Sequence, residues 1–156
     1  MKKLDNILII GIGNNTRQDD GLGWCFLDLL EKEGFNSENL VYKYQLMVED
    51  ADLISNYEKV IFVDACKAEL TNGFSIEPIV AAKQVAFSTH AVPPNQVLNL
   101  CETIYNKTPT AFVVKIQGYT WDIEIGLSKL AKLNLKKTFS NFTNNLTPKN
   151  VIQILL

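Results

Sequence analysis

Side chains able to hold a metal ion or move a proton stand at three separate loop positions in this chain. Asp19 and Asp20 lie in the segment "ILIIGIGNNTRQDDGLG" (residues 7–23), and Asp64 ends the apolar run of "VIFVDA". His90, the only histidine, sits in the loop "FSTHAVPPN", where Pro93 and Pro94 stiffen the backbone beside it. Two carboxylates and an imidazole brought together would suit a borderline divalent ion such as zinc or nickel. Cys66, two residues beyond Asp64, offers another chemistry, a thiolate nucleophile with His90 as its base, but no third orienting group is evident.

Each of these residues also has a plainer reading. Aspartate before a helix is a good N-cap, and acids favour the positive end of the helix dipole. That accounts for one of Asp19 and Asp20. Two in succession repel unless a cation, Arg17 or a proton relieves them. Asp64 could cap a turn as a solvated strand-end residue, and a lone histidine commonly has a surface or structural role. The pair Gly11 and Gly13 first suggests a dinucleotide fingerprint. That pattern needs a third glycine at position 16, where Thr16 stands, and carboxylates at the helix start would repel a pyrophosphate.

The elements that must position these groups follow from apolar patterning. Ile7–Ile12, Val60–Val63 and Ala111–Ile116 are near-continuous apolar runs, as in strands buried on both faces. Val41–Leu46 alternates like a strand, and Phe74–Val80, with Pro78, reads as an edge strand. Helical spacing marks Leu22–Leu30, stopped by Gly34, and Asn95–Tyr105, with Val97, Leu98, Cys101 and Ile104 facing the core. Asp50–Tyr57 is a short helix, and Ser128–Leu146 a C-terminal one broken near Thr147-Pro148, before an apolar tail at Val151–Leu156. Strands alternating with helices imply a single doubly wound, three-layer α/β/α domain over residues 1–156. Its sheet is mostly parallel and twisted, with one antiparallel edge strand. Ligands of such sheets bind beyond the carboxyl ends of the strands, which selects the loop after the first strand, Asp64, and whatever folds over them.

Composition narrows the class. The 156 residues are 47% hydrophobic and 21% charged, with a net charge of −2 and no basic stripe for nucleic acid. No stretch reaches the roughly 20 apolar residues of a membrane span. Asp5 interrupts the short N-terminal apolar run, so it does not read as a signal peptide. Cys25, Cys66 and Cys101 are odd in number and far apart, which suits a reducing compartment. The expectation is a cytoplasmic monomer with no nucleic-acid or membrane partner.

As a set, these stretches resemble the hydrogenase maturation proteases, endopeptidases that trim the C-terminus of the large subunit of nickel-iron hydrogenase. "GIGNNTRQDDGLG" resembles that family's GxGNxxxxDDGxG signature, and "VIFVDA" its strand-end aspartate motif. "STHAVPPNQVL" resembles its histidine loop leading into a helix, and "PTAFVVKIQGYTWDIEIGLS" the strand and opening of its last helix. The likeness runs in order from Ile7 to Leu146.

The resemblance implies that Asp20, Asp64 and His90 bind nickel already carried by the precursor, with zinc or cadmium as surrogates in a crystal. It implies a catalytic set of Asp20, Asp64 and Asp19, with Asp19 supporting its neighbour and the identity of the general base left open. Gly11, Gly13 and Asn14 would shape the turn. Thr16 departs from a usually larger, apolar position. "YQLMVEDADL" replaces a glycine-rich stretch and is similar to members serving soluble, cofactor-linked hydrogenases, so Gln45 and Glu49 would shape the substrate cleft. A protease using its substrate's metal would cut only the loaded precursor. The rival functions are a Rossmann-type nucleotide-binding module and a non-proteolytic chaperone for hydrogenase assembly on the same fold.

Overall fold

The computed structural model describes residues 6–84 and 91–145. Five strands form one sheet: β1 (Ile7–Ile12), β2 (Leu40–Lys43), β3 (Lys59–Cys66), β4 (Phe74–Ile79) and β5 (Thr110–Gln117). Four helices connect or flank them: α1 (Leu22–Lys32), α2 (Asp50–Ser55), α3 (Pro94–Tyr105) and α4 (Lys129–Asn144). The strand order is β2-β1-β3-β5-β4, parallel throughout except where β4 runs antiparallel to β5 at the edge. This is the doubly wound α/β arrangement expected from the patterning.

Alternation along the strands divides the core. Ile7 and Ile9 join Phe26, Leu27, Val114 and Phe142 on the side of α1 and α4. Leu8, Ile10 and Ile12 join Ile54, Val97, Leu98 and Cys101 on the side of α2 and α3. Phe26 meets Phe142 edge to face at 5.2 Å, and both are essentially fully buried. Each such side chain contributes about 1.5–3 kcal/mol through burial. Gly23 lets the first turn of α1 lie on the ends of β1 and β3, because a Cβ there would come within 2.5 Å of the Val63 carbonyl oxygen.

The boundaries differ from the sequence reading in two places that matter. β2 ends at Lys43, not Leu46: the amide of Gly13 takes the Lys43 carbonyl at 2.9 Å as the last link between β1 and β2, and the chain bends away at residues 44–45. Leu46 instead folds inward, and its carbonyl accepts from the Val92 amide at 3.0 Å. β3 does not end at Asp64: it stays paired with β5 as far as Cys66 opposite Gln117, whereas its pairing with β1 stops at Val63 opposite Gly11. Asp64 therefore sits where the sheet forks. β1 leads outward to β2 there, and β3 turns toward β5. The Thr147-Pro148 break, the Val151–Leu156 tail and the Ser88–His90 part of the histidine loop lie outside the described residues.

Candidate active site

The turn after β1 closes on itself. Gly13 has φ +144°, and a Cβ there would collide with the Asp20 carbonyl oxygen, which accepts from the Asn14 amide at 3.0 Å. The Asn14 side chain accepts from the Thr16 amide and hydroxyl at 2.9 and 2.6 Å, and the Asn14 carbonyl from the Arg17 amide at 3.1 Å. Thr16 thus has a local reason to stand where it does. The amides of Gly13 and Asn14 are spent on carbonyls within the protein. That removes the donors a phosphate cradle would present, in agreement with the failed glycine pattern.

The two adjacent aspartates part company here. Asp19 is fully buried, and its carboxylate accepts four hydrogen bonds: from the amides of Tyr119 (2.7 Å), Thr120 (3.0 Å) and Ser128 (2.8 Å), and from the Ser128 hydroxyl (2.7 Å). Burial pushes its pKa up, but the donors from Ser128, Tyr119 and Thr120 outweigh burial and hold it below the usual value. The resemblance places Asp19 in the catalytic set as a support for its neighbour. Its carboxylate is committed to the loop between β5 and α4 and presents no face to a substrate. Ser128, also the N-cap of α4, is its main partner.

Asp20 and Asp64 face one cleft of about 390 Å³ beyond the ends of β1 and β3. Burial raises the Asp20 pKa against the opposing pull of Arg17, the Asn14 amide and Lys67. Burial likewise pushes Asp64 up to about 7. The Ala65 amide, which donates to it at 2.8 Å, lowers it, and the charge of Asp20 raises it further. These are two partly buried carboxylates short of donors, at the fork where ligands of such sheets bind.

Gln45 lines the cleft with Tyr44 and Leu46; its amide also donates to the Met47 sulfur at 3.4 Å. Glu49 does not line the cleft. It lies exposed just before α2. The segment between β2 and α2 is held instead by Asp50, a buried acid that the sequence reading passed over as helix. Asp50 accepts from the Met47 amide at 2.7 Å and pairs with Lys43 at 3.1 Å. An acid at a helix start, shortly after the apolar run Leu46–Val48, was the available signal.

Ala91 to Pro94 line the other wall of the cleft. They follow His90 in the chain, but His90 itself lies outside the described residues. Among the described residues no three His, Cys, Asp or Glu side chains gather as a metal site. Cys66 is half-buried near Asp64, and all three cysteines are free thiols. Cys25 is partly buried, and Cys101 is buried, as its place on the core side of α3 predicts. Among the described residues no helix is long and apolar enough to cross a membrane.

Comparison with known proteins places the arrangement. No family model matches the chain. A Methanocaldococcus jannaschii protein provisionally named a hydrogenase maturation protease is 31% identical over 143 residues, covering 83% of this chain and 88% of its own. The hydrogenase maturating endopeptidase HybD from E. coli superposes with a TM-score of 0.67 at 19% identity, covering 90% of this chain and 91% of that one. The [NiFe] hydrogenase maturation protease HycI from Thermococcus kodakarensis does so with a TM-score of 0.66 at 24% identity, covering 89% and 90%. At these identities the two structures establish the shared fold.

Proposed function

The chain belongs to the hydrogenase maturation protease family, and from that premise we propose that it is an endopeptidase that removes the C-terminal extension of a nickel-loaded large-subunit precursor of a nickel-iron hydrogenase. The observation that carries this reading is the pair Asp20 and Asp64, short of hydrogen-bond donors and facing one cleft at the fork of the sheet. Oxygen donors in that state gain from a cation, and His90 supplies the third ligand in this reading. The cation is the substrate's nickel, so recognition depends on cargo: an unloaded precursor brings nothing to satisfy the carboxylates.

Held by Asp20, Asp64 and His90, the substrate's ion would polarise the scissile carbonyl or acidify a water. Water adds across the peptide bond. The body of the subunit keeps a new carboxylate, and the extension leaves as an amine that takes up a proton. Gln45 and Tyr44 form the wall against which the precursor lies, and Asp19 acts through the loop it holds. The free thiols of Cys25, Cys66 and Cys101 support a cytoplasmic setting, where the protein acts as a monomer.

The test compares nickel-loaded and nickel-free precursor with the parent protein and with Asp20→Asn, Asp64→Asn and His90→Ala, read by mass spectrometry of the products. The reading expects trimming only of loaded precursor by the parent. Parent-like trimming by all three variants would overturn the site assignment. Metal-dependent association without trimming would make the protein an assembly chaperone.

A further inference from the structure

Two cations stand beside Asp20, and one tryptophan seats both. The Lys67 ammonium, just past the end of β3, lies over the Trp121 ring at 5.2 Å from its centroid, within the range of a cation–π attraction. The Arg17 guanidinium donates to the Trp121 carbonyl at 3.5 Å. Both residues are exposed, and among the described residues neither forms a salt bridge. Neither lines the cleft, yet both are close enough to act on Asp20: burial raises its pKa, and the charges of Arg17 and Lys67 pull it back.

The loop between β5 and α4 builds the seat. Asp19 accepts from the amides of Tyr119 and Thr120 just before Trp121 and from Ser128 after it. The Trp121 ring packs over Gly118, where a Cβ would come within 2.9 Å of it. The same loop is tied to the turn after β1. The Gln18 amide donates to the Glu124 carbonyl at 2.8 Å, and the Asp122 amide to the Gln18 side chain at 3.0 Å. The Glu124 carboxylate accepts from the Gln18 side chain at 3.4 Å, not from Arg17. Arg17 and Lys67 therefore keep their charges for the Asp20 end of the cleft.

We propose that Lys67 and Arg17 are fixed counter-charges that hold the affinity of the cleft for free divalent ions low, and so reserve Asp20 and Asp64 for an ion delivered on a protein partner. The inference rests on the reading that Asp20 and Asp64 receive the precursor's nickel. A pair of carboxylates short of donors attracts any borderline divalent ion. Repulsion from a fixed positive charge scales with the product of charges, so a divalent ion feels it twice as strongly as a monovalent one. An ion carried by a precursor meets the same repulsion, but contact between the two proteins offsets it. A free ion brings no such contact. Selectivity is the difference between the two affinities, and a repulsive element widens it. Trp121 matters because an unseated long side chain would swing its charge out to water as the ion entered.

The test titrates nickel chloride alone into the parent protein, Lys67→Met, Arg17→Met and the double variant by calorimetry. Circular dichroism checks that each is folded. Each single variant should bind nickel about threefold more tightly than the parent, and the double variant about tenfold or more. The gain should shrink between about 0.01 M and 1 M salt, as the Debye length falls from about 30 Å to about 3 Å. Lys67→Arg should behave as the parent, and Trp121→Leu should reproduce part of the Lys67→Met gain. Adding Asp20→Asn to the double variant should erase the gain, which places the ion at the carboxylates. An unchanged or weaker affinity in the double variant, no detectable nickel binding by it, or a gain that survives Asp20→Asn would overturn the proposal.

A second arm uses nickel-loaded precursor. Free nickel should inhibit trimming by the double variant at about tenfold lower concentration than it inhibits the parent. Equal inhibition would count against the counter-charges. If the parent cuts no loaded precursor, the functional reading fails, and the calorimetry alone decides the role of Lys67 and Arg17.

Discussion

Asp19 and Asp20 are neighbours in the chain, yet they sit in regions with opposite electrostatics. Asp19 is buried more deeply, and four donors satisfy it, so its carboxylate remains the stable form. Asp20 and its partner Asp64 keep some access to solvent but have fewer donors, the Asn14 amide for one and the Ala65 amide for the other, so burial makes their charged forms costly. Burial alone does not distinguish a structural carboxylate from a reactive one. The supply of donors does: the protein has completed the shell of Asp19 and left those of Asp20 and Asp64 open to the cleft.

The contrast can be broken most directly at Asp19. Asp19→Ala strands three part-buried amides and a hydroxyl and releases the loop between β5 and α4. Chemical denaturation should register a loss of about 3–5 kcal/mol. A loss below about 1 kcal/mol would mean that the loop holds its place without the carboxylate.

The two regions should also respond to acid with opposite signs. Asp64 has its folded pKa raised from 3.8 to about 7, so the unfolded chain gives up this proton first as pH rises. Stability contributed by this group is complete below the unfolded value and is lost as pH climbs toward 7, on the order of 2–4 kcal/mol. Asp19, with a lowered pKa, contributes stability above the unfolded value that disappears as pH falls through its folded value. Denaturation curves across pH should therefore flatten between about pH 4 and 7 in Asp64→Asn. They should flatten at the acid end in Asp19→Asn. Identical profiles for both variants would erase the distinction.

Activity sharpens the contrast next. Asp20→Asn and Asp64→Asn should lower the rate of precursor trimming by about 100-fold or more while leaving stability at pH 8 unchanged or raised, since each removes a poorly solvated charge. Trimming at the parental rate would put the chemistry elsewhere. The smallest effects separate Gln45 from Glu49. Gln45→Ala, at the cleft wall, should raise KM a few-fold with kcat kept. Glu49→Ala should change neither, and its stability should stay within about 0.5 kcal/mol of the parent. Equal KM shifts would bring Glu49 back into the cleft.

Much of this was legible along the chain because the signals were local. Period-two and helical spacing mark the β and α segments, Pro78 marks the edge strand, and the apolar run into Asp64 places it at the end of the sheet where ligands bind. Edge effects were less legible. β2 stops at Lys43 because the chain bends away from β1 just after the Gly13 link, and β3 continues past Asp64 because β5 pairs with it to Cys66. Neither reason is visible in the segment itself. Asp50 went unnoticed for the same cause, since its partners Lys43 and Met47 lie across a turn.

By itself the sequence determined the layered α/β architecture, the closed glycine turn and the identity of three acids near one sheet edge, because propensity, periodicity and turn chemistry act over a few residues. Tertiary structure alone decided which acid does what. The donors that satisfy Asp19 come from residues 119, 120 and 128, about a hundred positions away, and only folding brings them to it. Asp20, one residue on, faces the cleft with Asp64, in an environment with few donors where burial makes a charge costly.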